Sequence, residues 1–436
     1  MQILYMAGLV PLLAMNYLAL RAVKRSFGLL LTPVLGWLIG LTVFLVVPIS
    51  VITLNGGYRM PPFYDIREAW GGVDLTGTKF ALPFAFIWAS LILSFAIVIT
   101  NAGAYSFSPA CSRRASEESI RSILKTTSML AAVVWGLSIA LAGGVEAYFT
   151  SHWLYRQEDM VERFGESVLL LGRLSQANFT VFVASAVLYL RYQLERQRLG
   201  GWLSILIVFV LLLELVMTGN RIYIALFLLT CLALCWILNR KKILVGFIAL
   251  APVIVLAFSL WASIRSNLTQ VQEKVPGYLS ADLGNRALTT VMDVSEGQNV
   301  MQLLHMIRDF GPRFDYLMGI TYTKAFTFWV PRGLYPDKPE HYTVTIAKLY
   351  SPGSRTSFNT TQLGELYANF GMLSLWFLPA ISFGFLKLSQ ALRLGHASLV
   401  LCTVVFLQCI WFARSSFADN FVPLVITLVF VRFFRI

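Results

Sequence analysis

Charge is scarce in this sequence: only 13% of its 436 residues are Asp, Glu, Lys or Arg, against 57% hydrophobic ones. So apolar a composition excludes a soluble multidomain protein and defines a polytopic membrane protein. Cysteine is also sparse. Of the five present, Cys231, Cys235, Cys402 and Cys409 fall in apolar runs and Cys111 in a basic connection, so no disulfide or metal framework follows. The chain also lacks a glycine-rich phosphate loop, a His/Glu metal spacing, a nucleophile elbow, an internal repeat and a low-complexity tract. These absences argue against an ATP-driven pump and against a metal- or serine-dependent hydrolase. No cofactor and no metal is expected.

What is present is apolar length, with a mean hydropathy of +0.69. Runs long enough to span a bilayer lie near 3 to 20, 28 to 52, 81 to 101, 127 to 148, 167 to 190, 202 to 218, 222 to 238, 243 to 263, 371 to 389, 397 to 414 and 418 to 434. The expected fold is an all-α integral membrane bundle of about eleven transmembrane helices. With alternate connections cytoplasmic, that side gathers cations such as Arg21, Lys24, Arg25, Arg113, Arg114, Arg196, Arg240 and Arg393, with Glu117, Glu118 and Glu195 opposing them. The positive-inside rule then sets the N-terminus outside and the C-terminus inside. The net charge of +13 thus describes orientation, and no nucleic-acid partner is implied. The first run has no charged region before it and Arg21, Lys24 and Arg25 after it, so it reads as a retained span and not a cleaved signal.

Three regions follow: 1–263, a transmembrane bundle; 264–370, one large loop subdomain on the outer side; and 371–436, the last spans. The middle segment is too long for an idle connector. It contains an expected amphipathic helix from about Val294 to Phe310, with Met301, Leu303, Leu304, Met306 and Ile307 as its apolar positions. The run Tyr316 to Val330, interrupted by Gly319 and Lys324, reads as interfacial. The outer connection from Thr150 to Glu166 reads as a short interfacial helix.

Two ionisable groups fall inside expected spans. Arg173 lies near the outer end of its helix, and Glu214 lies just below the hairpin Gly219-Asn220-Arg221. Intramembrane charge is normally paired or lines a wet cavity. Glu214 therefore either staples helices through Arg173 or Arg221, or joins them in the floor of an outward-facing cationic pocket.

On that outer side the topology collects Arg173, Arg221, Arg265, Arg332, Lys338, Arg355 and Arg414. Arginines fixed at a lipid boundary suit a lipid pyrophosphate, because the guanidinium fork stays ionised and gives paired bonds to phosphate oxygens. Pro331 and Pro336 restrict the backbone around Arg332, and Gly333 allows close approach of a ligand.

The segment Val-Pro-Arg-Gly-Leu-Tyr-Pro-Asp-Lys-Pro (330 to 339), followed by Gly-Glu-Leu-Tyr-Ala-Asn-Phe-Gly (364 to 371), resembles the signature of bacterial oligosaccharide repeat-unit polymerases, the O-antigen polymerase (Wzy) family. Ser374 departs from the glycine often found there. The resemblance implies a GT-C-like glycosyltransferase of the bacterial inner membrane with its active site facing the periplasm. Such an enzyme joins undecaprenyl-pyrophosphate-linked oligosaccharide repeat units. It implies a Wzx-like flippase and a Wzz-like chain-length co-polymerase as partners, besides membrane lipid.

That reaction requires stabilisation of the departing pyrophosphate, which Arg332 and its neighbours can supply, and a base for the acceptor hydroxyl. Glu365 is the first candidate, with His341 and Glu340 in reserve. Glu365 is equally suited to anchoring an arginine such as Arg332 or Arg355. Thr360, Thr361 and Asn369 are placed either to bind sugar hydroxyls or to cap the following helix. An O-antigen ligase, which delivers the same donor to a lipid A core, and a lipid-linked sugar transporter are the competing functions.

Overall fold

The computed structural model describes residues 2–28, 30–58, 72–102, 116–150, 167–196, 201–218, 221–246, 249–250, 253, 291–292, 295–328, 330, 334–352, 358–394 and 398–433. Among these the chain is almost entirely helical. Its one sheet pairs β1 (Gly57–Tyr58) with β2 (Val73–Asp74), antiparallel. The helices are α1 (Gln2–Phe27), α2 (Pro33–Leu41), α3 (Val47–Leu54), α4 (Ala81–Ala102), α5 (Glu117–Leu141), α6 (Val145–Thr150), α7 (Ser167–Glu195) and α8 (Trp202–Thr218). They continue as α9 (Ile222–Ile237), α10 (Gly297–Asp309), α11 (Ile320–Thr327), α12 (Tyr342–Tyr350), α13 (Thr361–Phe370), α14 (Ser374–Leu394), α15 (Leu399–Arg414) and α16 (Phe417–Phe433).

Five helical stretches among the described residues are long and apolar enough to cross a membrane: Ile3–Phe27, Pro33–Leu54, Ala81–Ala102, Glu117–Leu141 and Thr361–Arg393. Shorter apolar helices are Trp202–Thr218, Ile222–Ile237 and Leu399–Arg414. Their outward faces carry exposed Ile3, Leu4 and Val10 on α1, Ile205 and Phe209 on α8, and Trp376 on α14. Apolar faces turned outward on fully hydrogen-bonded helices are the build of a helical membrane protein. The expected span at 243 to 263 lies largely outside the described residues.

Local chemistry explains how the bundle closes. Thr32 caps α2 by accepting from the Leu35 N–H, and Pro33 follows at the first helical position, where its missing N–H costs nothing. Between α2 and α3 the residues Thr42–Val46 form a π turn, which takes up the misfit of Pro48 against the preceding turn. Gly36 and Gly40 let α2 press against α15. A Cβ at Gly36 would lie 2.2 Å from the Phe406 carbonyl oxygen, and one at Gly40 2.7 Å from the Ala413 Cβ. Small residues four apart allow this backbone approach.

The two ends of the bundle differ. At one end Lys24 Nζ donates to the Trp236 carbonyl (2.6 Å), Arg240 to the Leu194 carbonyl (3.2 Å) and Arg393 to the Ser26 carbonyl (2.7 Å), while Arg196 pairs with Glu117 (2.5 Å). Several of these cations close helix C-termini, whose carbonyls and dipoles favour them. The same four cations are assigned to the cytoplasmic side by alternating topology. The opposite end carries the heads of α7, α9 and α16 and the C-terminus of α15.

The amphipathic helix expected from about Val294 to Phe310 forms as α10, with Met301, Leu303, Leu304, Met306 and Ile307 buried as its apolar positions, but its polar face is buried as well. Asn299, Gln302 and His305 are buried together with Val300, Leu303 and Leu304, because α10 packs against α3, α4 and α13. Burial, with the nearby Arg308 charge, pushes His305 down to about 4. The run Tyr316 to Val330 yields the eight-residue α11, too short to cross a bilayer. Its Phe326 is exposed and meets Phe421 of α16 at 5.5 Å between ring centroids.

Candidate functional site

The motif from Gly364 to Gly371 folds as most of α13. Gly371 ends this helix at φ +54°, and a Cβ there would lie 2.8 Å from the Tyr316 ring. Only glycine accepts both conditions comfortably. Ser374 then opens α14, buried, with its hydroxyl donating to the Gly371 carbonyl at 2.6 Å. The serine is thus accommodated by a hydrogen bond to the turn that precedes it.

Glu365 is completely buried on α13. One carboxylate oxygen accepts from Thr321 Oγ1 at 2.9 Å, and the other from the Phe417 N–H at the head of α16. One turn on, Asn369 donates to Thr321 Oγ1 and to the Glu365 carbonyl, both at 2.8 Å, and accepts from the Gly319 N–H at 2.9 Å. Glu365 and Asn369 therefore join α11, α13 and α16 through one saturated network. A network so saturated holds elements in place.

Beside it stands a second cluster, which solvent reaches. Asp419 Oδ1 lies 2.9 Å from His341 Nε2 and 3.3 Å from Arg173 Nη2. Its other oxygen accepts from Ser416 Oγ at 3.0 Å, and its N–H reaches back to the same hydroxyl at 3.4 Å. Ser416 thus caps the first turn of α16 and is tied to the Asp419 carboxylate, which the helix dipole also favours there. His341 caps α12. Its Nδ1 accepts from the Thr343 N–H at 3.4 Å and meets Thr343 Oγ1 at 2.9 Å, while Nε2, itself buried, stands in ion-pair contact with Asp419 without hydrogen-bond alignment. The side chains of His341, Asp419 and Arg173 are 20, 24 and 28% exposed, whereas Glu365 is sealed. Glu365 remains within electrostatic reach of both His341 and Asp419.

The other expected site residues divide. Arg414 stands at the same end, paired with Glu296 at 2.7 Å. Arg221 sits at the head of α9. Lys338, expected as a substrate contact, is buried, and its Nζ donates to the Phe328 (3.1 Å) and Val330 (2.8 Å) carbonyls, clamping the chain there. Thr360 stands at the N-cap of α13, yet its hydroxyl bonds the Tyr342 hydroxyl and makes no side-chain capping bond. Glu340 pairs with Lys348 on the surface. Glu214 accepts from the Trp135 indole N–H at 2.7 Å, while Arg173, offered to it by sequence, turns to Asp419. Arg265, Arg332 and Arg355 lie outside the described residues, as does most of the connection from Thr150 to Glu166.

Asp419, Thr321 and Ser416 were not among the residues singled out by sequence. A signal existed for the first: Ser416-x-x-Asp419 before an apolar run is a capping-box spacing. Nothing local marks Thr321, whose role depends on a partner far along the chain. Among the described residues no three His, Cys, Asp or Glu side chains gather as a metal site. Comparison of the chain with family models, curated proteins and solved structures finds no match.

Proposed function

We propose that this chain is an inner-membrane glycosyltransferase that polymerises undecaprenyl-pyrophosphate-linked repeat units at the periplasmic face, within a GT-C-like bundle of about eleven spans. The observation that carries the reading is the accessible His341–Asp419–Arg173 cluster, packed beside the buried Gly364–Gly371 motif helix. It lies at the end of the bundle opposite Lys24, Arg196, Arg240 and Arg393.

In this reading the roles of the two candidate bases separate. His341 takes the acceptor hydroxyl proton at Nδ1 by way of the Thr343 hydroxyl, and Asp419 stabilises the imidazolium from the other side of the ring. Glu365, with both oxygens committed to Thr321 and Phe417, fixes the helices that carry this pair. The acceptor oxygen forms its bond to the anomeric carbon as the carbon–oxygen bond to pyrophosphate breaks. The departing charge falls to Arg173 and Arg414 at this end, and Arg221, Arg265, Arg332 and Arg355 are the further cations that the sequence offers for it. A flippase would supply the donor, and a chain-length co-polymerase would set how long the glycan grows.

The test is reconstitution of the purified chain in nanodiscs with an undecaprenyl-pyrophosphate-linked repeat unit. A ladder of lengthening lipid-linked glycans supports polymerisation. Transfer to added lipid A core without a ladder would make the protein a ligase, and movement of an intact donor would make it a transporter.

A further inference from the structure

At the head of α13, one turn before Glu365, three side-chain oxygens stand buried without a hydrogen-bond partner among the described residues: Asn359 Oδ1, Thr361 Oγ1 and Gln362 Oε1. Thr361 is 0% exposed and Gln362 1%. A buried polar atom left unpaired is costly, so each such atom asks for a ligand or an ordered water. Chance leaves isolated examples; here three fall within four residues.

Two further observations bear on what they face. Thr361 has φ +67°, a left-handed conformation that a β-branched residue adopts at a cost of about 1–3 kcal/mol. The usual remedy for the first turn of a helix is also missing, since Thr360 makes no side-chain capping bond and spends its hydroxyl on Tyr342. The head of α13 therefore offers backbone N–H donors, two amide oxygens that only accept, and one hydroxyl that does both. The rest of the Gln362 amide lies against the Tyr322 hydroxyl.

Amide oxygens repel an anion, so this set does not suit the pyrophosphate. It suits a neutral polyol, whose hydroxyls donate to the oxygens and accept from the N–H groups. Thr361, Glu365 and Asn369 lie four apart along one face of α13, and that polar stripe is saturated at Glu365 and Asn369 but open at Thr361. We infer that Asn359, Thr361 and Gln362 form a sugar-hydroxyl subsite that holds the acceptor glycan one turn from Glu365, beside the His341–Asp419 pair. This inference rests on the glycosyltransferase reading and names where that enzyme grips its acceptor.

The experiment is saturation-transfer NMR on the full chain in nanodiscs, with methyl glycosides of glucose, galactose, mannose and N-acetylglucosamine as probes. Wild type is expected to saturate at least one glycoside. Thr361→Gly and Gln362→Met are expected to weaken that glycoside about tenfold or more, the loss of one or two hydrogen bonds. Thr361→Gly is the informative variant, because glycine accepts the left-handed conformation and its melting temperature should match or exceed wild type. Saturation unchanged in both variants, or absent in wild type so that only water fills the site, overturns the subsite. The two readings fail separately. A ladder of lipid-linked glycan without variant-sensitive saturation removes the subsite alone, and variant-sensitive saturation without a ladder removes the polymerase alone.

Discussion

His341 Nε2 and Asp419 Oδ1 lie 2.9 Å apart, joining the residue before α12 to the first turn of α16 across 78 positions of sequence. Both are partly open to solvent, and Arg173 of α7 shares the same carboxylate. Three distant segments thus converge on one carboxylate. An Asp419→Asn variant keeps the shape but loses the charge that stabilises an imidazolium. Chain extension by the reconstituted enzyme is expected to fall about 100-fold or more, the usual contribution of an acid–base group. Circular dichroism and membrane yield should stay near wild type.

Glu365 makes the opposite prediction. Glutamine at this position leaves one oxygen and presents an N–H2 group to either Thr321 or Phe417, so one buried donor loses its acceptor. Glu365→Gln should destabilise the protein by about 1–3 kcal/mol, read as a lower melting temperature in detergent. Lost extension with an unchanged melting temperature would instead make Glu365 the base.

Lys338 is expected to act on stability and loop geometry, not through direct charge on the substrate. Lys338→Met fills the same space but leaves the Phe328 and Val330 carbonyls without its ammonium. A melting temperature lowered by the equivalent of about 1–3 kcal/mol is predicted. Equal stability would show that the clamp is dispensable.

His305 should make the protein acid-sensitive. Burial holds its folded-state value down at about 4, below the ordinary 6.5. The unfolded chain then binds the extra proton more readily, so this contribution is complete above pH 6.5 and is lost as pH falls from there toward 4. The span corresponds to roughly 3 kcal/mol. Melting temperature measured between pH 7 and pH 4.5 should fall in wild type and fall less in His305→Phe, and parallel curves would exclude the histidine as the cause.

Much of this arrangement was legible before folding. Apolar run lengths announced a helical membrane protein, and the spacing of Lys24, Arg196, Arg240 and Arg393 placed them together at one end, because alternation of spans is a counting argument. The segment Gly364 to Gly371 stood out because, with 330 to 339 before it, it gathers prolines, glycines, cations and a carboxylate into one stretch leading into a span. What stayed hidden depended on contacts between distant segments. Asn299, Gln302 and His305 look like a solvated helix face until α3, α4 and α13 close over them. Asp419 resembles an ordinary turn residue until His341 and Arg173 arrive. Lys338 reads as a cation for the substrate, and only the path of the chain from Phe328 to Val330 brings two carbonyls to its ammonium.

The most direct measurement is the product of the nanodisc reaction resolved by mass spectrometry, with undecaprenyl-pyrophosphate-linked repeat units as the only sugar source. Wild type should yield lipid-linked glycans growing by whole repeat units while free undecaprenyl pyrophosphate accumulates, and Asp419→Asn should yield neither. A donor left intact by the wild-type protein would contradict the account.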